Sequence, residues 1–97
     1  MIYVDEIIDW GDIAREKGLK WTRWCHMWAD SPLELREMAQ LLRLRPEWIQ
    51  YPNTHEEHFD LIPSKRTLAI KYGAKPVDLY QLAKDFNERK FADGQGN

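Results

Sequence analysis

The chain predicts an α/β fold, a single compact domain with the order β-β-α-β-α-β-α and a small, mostly parallel sheet with packed helices. Three observations carry that expectation. Met1-Ile2-Tyr3-Val4-Asp5, Trp24-Cys25-His26-Met27-Trp28-Ala29-Asp30 and His58-Phe59-Asp60-Leu61 each alternate apolar and polar residues, as half-buried strands do. The segments between and after them repeat apolar residues at helical spacing. The later strands are joined through those helices, and helical crossovers favour parallel neighbours with right-handed connections.

Taken in order, the first strand leads into Glu6 to Gly18, where Asp9 is placed to cap a short helix that stops at the glycine. The second strand ends at Asp30-Ser31-Pro32-Leu33-Glu34. Ser31 as N-cap, Pro32 at the first helical position and Glu34 closing a capping box start a helix that runs to about Arg43. Its stripe is Leu35, Met38, Ala39 and Leu42. Arg45-Pro46 breaks the pattern, and the stretch through Thr54 reads as a loop with one helical turn around Pro46 to Gln50. The third strand, Glu57 to Ile62, passes into a helix capped by Ser64 and closed by Gly73. A short fourth strand fits Ala74 to Val77. An Asp78-x-x-Gln81 capping box then opens a last helix with the stripe Leu79, Leu82, Ala83 and Phe86, and Arg89 and Lys90 near its negative end. The domain spans 1–92, and 93–97 is a flexible, glycine-rich tail.

Composition narrows the function. Ninety-seven residues, 43% hydrophobic and 31% charged, make one ordinary globular core and exclude a large enzyme. No apolar run reaches the roughly 18 residues of a membrane span, and the N-terminus lacks a secretory leader, so the expected location is cytoplasmic. A net charge of −2 argues against a protein that coats nucleic acid. The single cysteine, Cys25, has no disulfide partner and lies on the apolar side of its strand, as a small buried hydrophobe does.

The candidate site is on the polar strand faces. Alternation sends His26, Trp28 and Asp30 one way and Cys25, Met27 and Ala29 the other; His58 and Asp60 share a face, and Asp5 ends the first strand. Asp5, Asp30 and Asp60 lie at or near carboxyl ends of strands, where open parallel sheets bind ligands. Two histidines and several aspartates suit a mixed nitrogen and oxygen metal site, or a histidine oriented by a carboxylate. They equally suit a domain merely knit together by hydrogen bonds. Lys65 and Arg66 occupy the first turn of a helix, where the dipole disfavours cations and an anion would relieve the conflict; Gln50 and Thr67 could add hydrogen bonds to it. A solvated basic turn is the plainer explanation. Five tryptophans are mostly packing, but Trp28 shares a face with His26 and Asp30 and is placed to stack on a planar group. Lys20, Trp21, Arg23 and Trp24 form a basic and aromatic cluster beside it.

These same residues resemble a known family. Met1-Ile2-Tyr3-Val4-Asp5, Trp24-Cys25-His26 with Asp30-Ser31, and His58-Phe59-Asp60-Leu61 followed by Lys65-Arg66, Ala69 and Gly73-Ala74 are similar to the domain of unknown function numbered 4031, of bacteria and phages. The resemblance spans nearly the whole chain. Its hallmark His-Tyr-Asp triplet is His58-Phe59-Asp60 here, and the segment between Asp5 and Trp24 is longer. The resemblance implies a small α/β protein, supplies no activity, and points to a phage or prophage origin, with the host-cell cytoplasm as location if phage-encoded.

The leading expectation is therefore a non-catalytic binding protein for an anionic, phosphate-bearing small ligand such as a nucleotide, with no cofactor. Lys65 and Arg66 take the phosphate, Trp28 stacks, and Asp5, His26, Asp30, His58 and Asp60 fix orientation. The alternative is a metal-dependent phosphodiester or nucleotide hydrolase, with a divalent metal on His26, His58 and Asp60. A third reading is a protein–protein inhibitor of a host enzyme, anchored by exposed tryptophans. A membrane partner is not expected, nor is nucleic acid, and exposed sheet edges favour a homodimer.

Overall fold

The centre of the fold is a seven-residue strand, Arg23–Ala29 (β3), to which three others pair. The computed structural model describes residues 1–78; the expected helix built on Leu79, Leu82, Ala83 and Phe86 and the 93–97 tail lie outside the described residues. Along β3, Cys25 and Met27 are fully buried while Trp24, His26 and Trp28 are part-exposed, which is the alternation read from the sequence. Ile2–Val4 (β1) pairs antiparallel with β3, Ile2 opposite Ala29 and Val4 opposite Met27. Phe59–Leu61 (β4) pairs antiparallel with it too, Phe59 opposite Met27 and Leu61 opposite Cys25. Met27 has a partner in each, so β1 and β4 flank β3 on opposite edges. Ile8–Asp9 (β2) extends the antiparallel pairing to Trp24 and Arg23. Lys75–Pro76 (β5) is the one parallel addition, beside β1.

The sheet is thus mixed and mostly antiparallel, which corrects the parallel expectation. The crossover from β4 to β5 does return the chain in the same direction. However, β3, running the other way, and β1 lie between those two strands. After the helix that follows β3, the long connection 42–58 has enough chain to turn β4 back against β3. A second consequence concerns the aspartates. In an antiparallel pair the carboxyl ends lie at opposite ends, so Asp5 and Asp60 gather near the middle of β3 while Asp30 is at its far end.

The second helix follows the sequence closely, and the other two depart at their starts. Gly11–Glu16 (α1) begins later than expected because Ile8 and Asp9 join the sheet; Asp9 Oδ1 still accepts from the Gly11 N–H at 2.9 Å, and Gly18 turns the chain at φ +67. Pro32–Leu41 (α2) has Ser31 accepting from the Glu34 N–H, with Pro32 at the first position. Only half of the expected capping box forms, because the Glu34 carboxylate instead pairs with the Met1 ammonium. Pro63–Lys71 (α3) is capped by Ile62, not Ser64, because Pro63 takes the first helical position and carries Ser64 into the first turn. Gly73 at φ +110 ends it as expected. The turn in the long connection is a 3-10 helix, Pro46–Trp48.

Both longer helices cover the same sheet face. Leu35, Met38 and Ala39 of α2 and Ala69 of α3 join Ile2, Val4, Cys25, Met27, Phe59 and Leu61 in one apolar cluster. The opposite face bears Tyr3, His26, Trp28 and Asp60. None of the described helices is long and apolar enough to cross a membrane.

Candidate functional site

Between β1 and β2 the chain gains a residue on β3. Val4 opposes Met27 and Ile8 opposes Trp24, four steps on one strand against three on the other. The extra residue makes a bulge, and Asp5 is at its start. In a regular pair Asp5 and His26 would exchange both backbone hydrogen bonds. Here the Asp5 N–H donates to the His26 carbonyl at 3.1 Å, but the His26 N–H donates to Asp5 Oδ1 at 2.6 Å. The Asp5 carbonyl, released from the ladder, accepts from Arg66 Nε at 2.7 Å. The second carboxylate oxygen lies 2.7 Å from His26 Nδ1. Asp5 is 1% exposed, and both of its side-chain oxygens are satisfied by one histidine. Because a carboxylate only accepts, Nδ1 carries the proton and Nε2 is left to face outward.

Across β3, Asp60 is directly opposite His26, and His58 precedes it on the same face. His58 Nδ1 lies 2.7 Å from the Glu56 carbonyl, so it too is the protonated nitrogen. Its Nε2 is 3.4 Å from Asp60 Oδ1, a contact that becomes an ion pair when the ring is protonated. Asp60 Oδ1 is buried without a hydrogen-bond partner, while Gln50 Nε2 donates to Oδ2 at 3.1 Å. The Asp60 carboxylate raises the His58 pKa above its ordinary value; partial burial opposes this and the Glu56 carbonyl assists it.

His26 and His58 meet edge to face, ring centres 5.1 Å apart. One ligating atom from each of His26, His58 and Asp60 lies within 4.8 Å of the other two. Ligands at 2.0–2.2 Å from a tetrahedral ion are about 3.5 Å from one another, which the 3.4 Å His58 to Asp60 separation fits. Each histidine holds its second nitrogen on an oxygen acceptor, an arrangement that fixes tautomer and aim in metal centres. Among the described residues, His26, His58 and Asp60 thus bring together two imidazoles and one carboxylate that could hold a metal ion.

The other expected site residues are elsewhere. Trp28 stacks on Tyr3 at 5.8 Å, and Asp30 accepts from the Tyr3 hydroxyl and pairs with the Met1 ammonium. Lys65 Nζ donates to the Leu42 carbonyl at 2.7 Å, at the negative end of α2, and Arg66 supports the bulge; the conflict at the start of α3 is relieved by these carbonyls. Thr67 Oγ1 bonds back to the Pro63 carbonyl within its own helix. Phe59 is 2% exposed in the core, so the hydroxyl of a tyrosine there would not lie on this face with His58. Burial, with Asp5 adding to it, pushes the Cys25 thiol up to about 12, which leaves no thiolate for nucleophilic work.

Trp10, which the sequence did not single out, and Tyr51 of the long connection frame the centre. Trp10 meets the His26 ring edge on at 5.9 Å and stacks on Trp24 at 5.6 Å. Tyr51 tilts over His58 at 6.0 Å from a backbone at φ +50, in a loop pinned where the Asn53 N–H and Arg36 meet the Glu57 carboxylate. No periodicity marks such a loop. A β-bridge between Gln50 and His58 closes its neck.

Beside Asp60 opens a cleft of about 610 Å³, walled by tryptophans and aliphatic side chains. The family described as Protein of unknown function (DUF4031) matches residues 2–89. No curated protein and no solved structure matches the chain.

Proposed function

The chain belongs to the DUF4031 family, whose description names no activity, and from the geometry we propose that it is a metal-dependent hydrolase of phosphate esters. The observation that carries this reading is the convergence of His26, His58 and Asp60, whose outward atoms lie together while their remaining polar atoms are held by Asp5, Glu56 and Gln50. Two imidazoles and a carboxylate suit Zn²⁺ or Fe²⁺, and three protein ligands leave a position for water. Hydrolysis is preferred to oxidation because it needs no co-reactant beyond that water. A divalent ion held by His26, His58 and Asp60 would supply an activated water for attack at phosphorus, with the water's proton going to the departing oxygen.

Chelator-stripped protein titrated with Zn²⁺ should bind one ion, and the loaded protein should hydrolyse bis(4-nitrophenyl) phosphate. His58→Ala should lose both; a variant retaining both rules the role out. A second reading, non-catalytic binding of a phosphate-bearing ligand, is favoured by Lys65 in the wall of the adjoining cleft. Tight binding of the ester by loaded protein, with no turnover, would decide for it.

A further inference from the structure

We infer that the cleft beside Asp60 is the specificity pocket of this centre and that it takes a nucleobase, which makes the substrate a nucleotide rather than a simple phosphate ester. The inference rests on the metal-centre reading. Trp21, Trp24 and Trp48 present indole rings to the cleft, and Leu44 and Ile49 add an apolar lining. Trp21 and Trp48 remain 54% exposed, which leaves both side chains accessible to a planar partner in the cleft.

The cleft and the donor set meet at Asp60. Asp60 belongs to both, and Gln50, which donates to its Oδ2, also lines the cleft, so a group in the cleft would adjoin one held at the donor set. Charge along the cleft supports an anionic occupant. Lys20 and Lys65 line it against the single additional carboxylate of Glu47, once Asp60 is assigned to the ion. Lys20 lies over the Trp21 ring at 5.5 Å, and Arg45 lies over Trp48 at 5.7 Å, so two of the rings carry a cation on one side. Aromatic rings with flanking cations are the elements that hold bases and their phosphates without reading sequence. The basic and aromatic cluster Lys20, Trp21 and Trp24 thus has a use for a mononucleotide that it lacks for a polymer, given the net charge of −2.

The experiment compares adenosine 5′-monophosphate with ribose 5-phosphate on Zn²⁺-loaded protein, by calorimetry and tryptophan fluorescence. Stacking predicts that the nucleotide binds about tenfold or more tightly. Trp48→Leu and Trp21→Leu, both at exposed positions, should erase most of that preference and leave Zn²⁺ affinity unchanged. Equal binding of the two phosphates overturns the inference, as does a preference that survives both substitutions. The Zn²⁺ titration of the same sample reads the centre separately: ion binding without nucleotide preference removes the cleft assignment alone, whereas absent ion binding removes the metal reading on which it rests.

Discussion

The two halves of β3 carry comparable side chains on one face, yet only one half forms a centre. At the first, His26 has Asp5 on one side and Asp60 on the other; at the second, Trp28 has only Tyr3 and Asp30 follows at the strand's end. The difference lies in the neighbours. β4 pairs with residues 25 to 27 and stops, and the bulge at Asp5 occurs where β4 is still present. Three strands abreast bring polar groups from two edges onto one residue, whereas two strands leave the same residue types to pack on each other. Convergence is thus a property of cross-strand register and not of the residues along one strand.

The comparison can be broken most directly at its ligands. His26→Ala or Asp60→Ala should weaken Zn²⁺ binding by about a thousandfold or more, since a lost ligand leaves only two, whereas Asp30→Ala should leave it unchanged. Calorimetric titration checks this, and a comparable loss from Asp30→Ala would put the centre in the wrong half. Next in size is the opposite face. Met27→Ala should destabilise by about 3 kcal/mol through the cavity it leaves, against about 1 kcal/mol for Trp28→Ala, which loses one half-exposed aromatic stack. Chemical denaturation of both variants measures the contrast.

A subtler change sharpens the role of the bulge. Asp5→Asn replaces an acceptor by an amide that cannot satisfy both the His26 N–H and its Nδ1–H, and metal affinity should fall about 10- to 100-fold with the fold retained. Unchanged affinity would make Asp5 a structural group only. The smallest effect expected is of pH on the metal-free protein. The raised pKa of His58 means that folding favours its protonated form. This contribution is complete below the unfolded value of about 6.5 and is lost as pH rises through the higher folded value. Melting temperatures of chelated protein should show that decline, and Asp60→Asn should abolish it.

Much of this was legible along the chain. The alternation in 24–30 placed Cys25 and Met27 in the core and His26 on the other face, because a strand has only two sides. Ser31-Pro32 started α2 and Gly73 ended α3, because caps and positive φ are local demands. The pairing of Lys65 with Leu42 and of Arg66 with Asp5 was not legible, since each joins groups far apart in sequence. Arg66 Nε is held by the Asp5 carbonyl, whereas Lys65, with one bond to the Leu42 carbonyl, still lines the cleft beside Asp60.

The residues themselves determined a small α/β protein and the sides of its strands, and they offered Asp5, His26, Trp28, Asp30, His58, Asp60, Lys65 and Arg66 as candidates. Tertiary structure alone decided the mostly antiparallel pairing of the sheet, the one-residue bulge, and the separation of Asp30 and Trp28 from the rest. The physical reason is that strand direction and register depend on which edges meet after the long connection 42–58, and backbone hydrogen bonds are the same for every sequence that could pair there.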